Sequence, residues 1–208
     1  RKSEVIKMIR IRDIKIPLDF TYKDLLKKTA KRLRINENEI ISVKLYRQSV
    51  DARDRSNVHF NISVDVKVKN EEYVLKRSIK DSRVDVVKPF FYSVAVNAEF
   101  EHRPVVIGSG PAGLFAAFIL AKAGAEPVVL ERGLDVDTRA ELVERFWREG
   151  KLDTECNIQF GEGGAGTFSD GKLTTGTKDE RISYVLTQLN EHGAPDSIMY
   201  QAKPHIGT

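Results

Sequence analysis

The residues with the clearest chemical potential in this 208-residue sequence are Gly108, Ser109, Gly110, Pro111, Ala112 and Gly113, a G-x-G-x-x-G run. Such a run is weak evidence by itself, and its surroundings give it weight. A short apolar stretch (Val105, Val106, Ile107) leads in, and a helix of small and apolar residues (Ala112, Leu114, Ala116, Ala117, Leu120, Ala121) leads out. Glu131 closes the next apolar stretch about 20 residues further on, the spacing of the dinucleotide fingerprint. In that arrangement Gly108 permits a tight turn, Gly110 lets backbone approach a pyrophosphate, and Gly113 lets the helix pack closely on the strand. The helix N-terminus offers free N–H groups and the positive end of its dipole to phosphates. Glu131 is expected to accept hydrogen bonds from the ribose hydroxyls of an adenosine half, and its charge opposes a 2′-phosphate.

A second glycine-rich segment follows, from Phe160 through Gly161, Gly163, Gly164, Gly166 and Gly171 to Lys172 and Leu173. Five glycines in eleven residues make a low-profile loop whose amides at Gly163, Gly164 and Gly166, with the Ser169 hydroxyl, could press against a second stretch of cofactor. The first fingerprint serves FAD and NAD alike, and this loop favours FAD. Arg132 is expected to pack against the adenine or a phosphate. Lys172 and Ser169 are the catalytic candidates: a lysine beside a flavin stabilises the charge that develops at its N1/C2 carbonyl on reduction. A lysine on a phosphate or in solvent is an equal alternative. Asp170 reads as a cap for the segment after it, or as the group that orients Lys172. The helix carrying Arg139, Arg145 and Arg148 reads as a solvated face, with Phe146 and Trp147 buried.

The elements that must hold these residues fall into two regions. From residue 104 short apolar strands alternate with helices, the pattern of a parallel α/β, Rossmann-like, FAD/NAD(P)-binding region. Its expected strands are 105–107 and 127–130, and its helices are 111–123, 136–149 and 179–192, with Gly193 as a cap. Residues 1–100 read as a small α+β domain of ferredoxin-like order. A strand over 4–16 holds Ile9, Ile11, Ile14 and Ile16, and a helix begins at a capping box of Thr21 and Asp24. Ile41, Val43 and Leu45 mark a second strand, and the even positions from Val58 to Val68 mark a third. A short helix over 71–79 and a last strand, at 84–87 or 90–96, complete the order.

From 105 to 208 the chain resembles the FAD-dependent dehydrogenases described as NAD/FAD-utilising dehydrogenases. The likeness rests on Phe146-Trp147, Asn157-Ile158-Gln159-Phe160 and the 163–172 loop, with Ser49-Val50-Asp51-Ala52-Arg53 less diagnostic. It implies a flavoprotein continuing past Thr208, with FAD between this segment and a later one. A small-molecule substrate or electron carrier would be the partner, and NAD(P)H a candidate electron donor. Residues 204–208 resemble a segment near the flavin in that family, which singles out His205. Cys156 stands where the family pattern suggests Ser, and reads as a small-residue substitute.

Composition bounds the remaining classes. Residues 1–103 hold 24 Lys+Arg against 15 Asp+Glu, and residues 104–208 hold 10 against 15, so the basic excess lies in the first region. That excess suits docking onto an acidic neighbour or plain solubility. Binding of RNA or a partner protein through this region is a rival reading, weakened by the scarcity of aromatics among its basic residues. An NAD-binding dehydrogenase without flavin is the other rival. The single cysteine precludes an internal disulfide, and no Cys/His spacing suits a metal. No apolar run has the length of a membrane span and no signal-peptide core is present, so a cytoplasmic protein is expected. The absence of an initial Met and of any closing signal near Thr208 reads as a fragment of a longer chain.

Overall fold

The computed structural model of the protein describes residues 8–87, 90–95 and 99–206. In chain order the elements are β1 (Met8–Ile16), α1 (Tyr22–Leu33), β2 (Ile40–Asp51), β3 (His59–Val68), α2 (Glu71–Ser78) and β4 (Val84–Val87). Then come β5 (Val105–Ile107), α3 (Pro111–Lys122), β6 (Val128–Leu130), α4 (Val136–Glu149) and α5 (Arg181–Glu191). They form two compact units: the described residues of Arg1–Phe91 with Thr174–Pro204, and those of Tyr92–Leu173 with His205–Thr208.

The first unit is built on an antiparallel sheet in the order β2-β3-β1-β4. β3 has one wet face and one dry face because its apolar side chains recur every second residue: Ile62, Val64, Val66 and Val68 are all buried. β1 needs a correction to stay in phase, and a bulge supplies it. Ile11 pairs with Val64 and Ile14 with Ile62, so Arg12 and Asp13 together face Ser63, with Asp13 at φ +58°. The extra residue shifts the alternation by one, which keeps Ile9, Ile11, Ile14 and Ile16 on the same buried face. A similar shift between Ile40 and Ser42 in β2 buries Val43 and leaves Ile41 54% exposed.

Both helices seal this face. The α1 start is a complete capping box, with the Asp24 N–H on Thr21 Oγ1 at 3.3 Å and the Thr21 N–H on Asp24 Oδ2 at 3.0 Å. Leu25 and Leu33 of α1 and Val74 of α2 join one core with the isoleucines and valines of β1 and β3. The expected strand beyond residue 90 is absent among the described residues, the last strand being Val84–Val87; residues 4–7 and Val96 lie outside the described residues.

Residues 174–204 belong to this unit although they follow the glycine-rich segments in sequence. The Gln48 N–H donates to Tyr200 O at 2.7 Å and the Ala202 N–H to Gln48 O at 2.9 Å, which covers part of the open edge of β2. α5 ends as its sequence predicts. Gly193 turns at φ +102°, its N–H reaching Asn190 O and the Ala194 N–H reaching Leu189 O, each at 3.0 Å.

The second unit carries a parallel pair, with Val105, Val106 and Ile107 opposite Val128, Val129 and Leu130, joined through α3. α3 is apolar on every side and has no buried residue, and Ile107 is 86% exposed. Among the described residues no helix is long and apolar enough to cross a membrane. The contrast within β1 and β2 gives a test in denaturant unfolding of the first unit. Ile11→Ala should cost about 2–5 kcal/mol, the usual range for a buried truncation. Ile41→Ala should change stability by no more than about 0.5 kcal/mol, because that side chain faces outward.

Candidate functional site

The glycine turn sits where β5 hands over to α3. Gly108 has φ +93°, a conformation glycine adopts without strain, and its N–H extends the strand pairing to Leu130 O at 2.7 Å. A Cβ on Gly113 would run into the Gly108 carbonyl oxygen, so close seating of the helix on the turn demands glycine there. Gly110 is the N-cap and has no side chain with which to cap, and Pro111 occupies the first helical position, where its missing N–H costs nothing. The N–H groups of Gly110, Ala112 and Gly113 donate to no acceptor in the described residues. Three unmade amide bonds at the positive end of a 12-residue helix are a cradle for an anion.

Glu131, at the exit of β6, binds the protein with both oxygens. Oε2 accepts from the Ser109 N–H at 2.7 Å and from the Ser109 hydroxyl at 2.8 Å. Oε1 accepts from the Gly133 N–H at 3.0 Å and the Gly161 N–H at 3.1 Å. These amide bonds hold its carboxyl down at about 2, the Ser109 N–H contributing most. The four bonds fill the carboxylate's acceptor positions, so a ribose hydroxyl would share Glu131 by displacing one of them, and the Ser109 hydroxyl is the donor free to rotate away.

The second loop lies on the first with nothing between the two main chains. Gly133 and Gly161 cross so closely that a Cβ on Gly133 would strike Gly161 Cα. The Gly163 N–H donates to Ser109 O at 3.0 Å, and a Cβ on Gly164, which has φ +69°, would stand 2.9 Å from Gly110 Cα. The amides of Gly163 and Gly164 are thus used internally, the latter on Gly161 O at 3.0 Å. What these two glycines supply is close approach of backbone.

Two residues behave differently from their sequence reading. Arg139 is fully buried, although the α4 arginines read as a solvated face: its guanidinium turns under the 157–167 loop and donates to the carbonyls of Asn157 at 2.9 Å, Ile158 at 2.8 Å and Gly164 at 2.8 Å. Burial pushes its pKa down, against the attraction of Cys156 and Glu131. Trp147, expected to be buried, is 61% exposed, because the inward stripe of α4 runs through Arg139 and Val143. Helical spacing does point Arg139 along the Val143 face, a signal that an arginine-rich helix obscures.

The remaining candidates make local contacts. Arg132 lays its guanidinium over the Phe160 ring at 3.8 Å and reaches Glu155 at 3.5 Å. Ser169 folds its own loop, donating to Gly166 O at 2.8 Å and accepting the Gly171 N–H at 3.1 Å. Lys172 pairs with Asp170 at 2.9 Å and remains exposed. His205 stands opposite Lys172 in an antiparallel bridge, and the Ile206 N–H donates to Gly171 O at 3.0 Å. Cys156 is buried and accepts the Leu134 N–H at 3.4 Å, a packing role.

Comparison with known proteins fits this geometry. Residues 106–156 match the family described as NAD(P)-binding Rossmann-like domain, which spans the glycine turn, Glu131 and α4. Residues 8–67 match the family described as Domain of unknown function (DUF8436). An uncharacterized protein of Clostridium beijerinckii is 45% identical over 201 residues, covering 96% of this chain; the chain spans 38% of that relative's length. A Rossmann-like NAD(P)-binding domain is therefore indicated for the second unit.

The Glu131 brace has a defined pH window. Its folded-state pKa of about 2 lies below the ordinary 4.5, so the stabilisation is complete above about pH 4.5 and is lost as pH falls through about 2. A carbon-detected titration of the Glu131 carboxyl should show a midpoint near 2; a midpoint at the ordinary glutamate value would mean the four-bond brace does not form in solution. The two turn glycines should separate in thermal unfolding. Gly113→Ala forces the turn apart and lowers the melting temperature, whereas Gly110→Ala, at φ −68° and 3.9 Å from its nearest neighbour, leaves it almost unchanged.

Proposed function

We propose that this chain provides the dinucleotide-binding part of an FAD-dependent oxidoreductase, in which bound flavin accepts and passes on electrons or hydride. The observation that carries the reading is the set of open amides at Gly110, Ala112 and Gly113, at a turn backed by Glu131. The residues fit the group. Gly110 has room for a phosphate oxygen to approach, Ala112 and Gly113 would donate to it, and Glu131 would exchange the Ser109 hydroxyl for a ribose hydroxyl. The flavin would supply the redox chemistry, and the protein binds, orients and shields it.

FAD is favoured over a nicotinamide alone by the 160–173 loop, whose contact with the glycine turn extends the binding backbone beyond what one turn reaches. Lys172 and His205 lie on that extension and are the candidates to face the flavin ring. NAD(P)H is the proposed electron donor, and a small molecule or electron carrier the partner. The second reading, an NAD(P)-binding dehydrogenase without flavin, is favoured by the description of the family matched over 106–156. For the first unit we infer a ferredoxin-like α+β sandwich, supported by the β2-β3-β1-β4 order, the antiparallel pairing and a shared core under α1 and α2.

The deciding measurement is the visible spectrum of the purified full-length protein with its heat-released cofactor, followed by titration of FAD and NADH. Yellow protein that releases FAD supports the first reading; colourless protein that binds NADH and no flavin supports the second. Gly110→Ala should weaken the bound dinucleotide by roughly tenfold or more while leaving the fold intact, since its methyl group occupies the phosphate's approach. Unchanged affinity in that variant would remove the glycine turn from the site.

A further inference from the structure

Arg139 is costly to bury and is not spent on an ion pair. Its side chain is wholly inaccessible, and no carboxylate lies within ion-pair distance of it among the described residues. A helix that only had to pack would carry leucine or methionine there. Instead the guanidinium gathers six acceptors from one eleven-residue stretch. Besides the carbonyls of Asn157, Ile158 and Gly164 it takes those of Gly161 at 3.4 Å and Glu162 at 2.5 Å, and the Thr167 hydroxyl at 3.2 Å. A planar fork with five N–H donors can do this, and an ammonium with three cannot.

The consequence follows from peptide geometry. In a trans peptide the carbonyl of one residue and the N–H of the next point in opposite directions. Drawing the carbonyls of Gly161, Glu162 and Gly164 toward Arg139 therefore turns the amides of Glu162, Gly163 and Ala165 the other way. The first donates to Leu134 O at 3.1 Å and the second to Ser109 O at 3.0 Å, which fastens the loop to the strand exit and to the glycine turn. The Ala165 N–H has no acceptor in the described residues. It belongs to the peptide that follows Gly164, whose backbone abuts Gly110.

We propose that Arg139 is a positioning residue for the dinucleotide, which turns the Ala165 amide outward as a further donor to the phosphates held at Gly110, Ala112 and Gly113. This rests on the dinucleotide reading above. Arg139 touches no cofactor; it acts through the loop it shapes, before a ligand arrives.

The test uses the full chain with FAD and NADH as probes, and compares Arg139→Lys and Arg139→Ala with Arg148→Ala, an exposed position on the same helix. Arg139→Lys should keep the charge and the fold yet lower dinucleotide affinity by roughly tenfold or more, because three donors cannot replace six bonds. Amide exchange across 157–167 should quicken in both Arg139 variants without ligand, and the Ala165 amide resonance should shift on binding in the wild type. Guanidinium ion added to Arg139→Ala should restore affinity, which a general loss of stability would not allow. Wild-type affinity in Arg139→Lys, or an Ala165 resonance unmoved at saturation, overturns the proposal. A wild-type chain that binds neither FAD nor NADH overturns the dinucleotide reading itself, and this proposal with it.

Discussion

The second unit depends on one half-buried anion, the Glu131 carboxylate, held among amide donors. It ties together three stretches distant in sequence: the glycine turn through Ser109, the exit of β6 through Gly133, and the second loop through Gly161. Each stretch brings backbone and almost no side chain to the meeting point. Without an acceptor there, three amides would face one another with no partner, and the desolvation cost would open the loops. The glycines at 133 and 161 are what allow the main chains to come near enough to share one carboxylate. Arg139 completes the arrangement from beneath: the Gly161 N–H donates to Glu131 and the Gly161 carbonyl accepts from Arg139, so opposite charges hold a single residue from its two sides.

This arrangement changes what the acid of the fingerprint does. A glutamate at the end of the second strand is usually credited with reading a ribose. Here its four acceptor positions are occupied by the protein, and three of the four donors are fixed main-chain amides. Of these donors only the Ser109 hydroxyl can turn away by side-chain rotation, so any hydroxyl that replaced a bond to Glu131 would replace that one. Exchanging that one hydroxyl would strain neither loop, because the three main-chain bonds to Glu131 stay in place.

Much of the fold was legible because it rests on period and punctuation. The alternation of β3, the Thr21/Asp24 box, the Gly193 turn and the limits of α4 are written in neighbouring residues. The glycine turn was legible for the same reason, since its three glycines answer to local geometry. What the sequence obscured is long-range. Arg139 reads as surface because arginine usually is, and only the carbonyls of a loop about 20 residues away turn it inward. The donor roles expected of Gly163 and Gly164 gave way to internal bonds, the first to Ser109 O on the glycine turn and the second to Gly161 O within the same loop. The membership of α5 in the first unit was hidden too, because an amphipathic stripe does not state which unit its helix joins.

The two units differ in how much of their apolar surface is covered within this chain, which spans 38% of the length of its Clostridium beijerinckii relative. An antiparallel sheet is satisfied with one dry face, and the first unit supplies that face with α1 and α2. A parallel sheet is apolar on both faces and needs cover on both. β5 and β6 are three residues each, with Val105, Ile107 and Leu130 more than half exposed, and α3 is apolar all round with nothing buried. Within the residues described, the geometry of the glycine turn and of the loop lying on it is set by hydrogen bonds and charge, from Glu131 and Arg139 acting on glycine backbone.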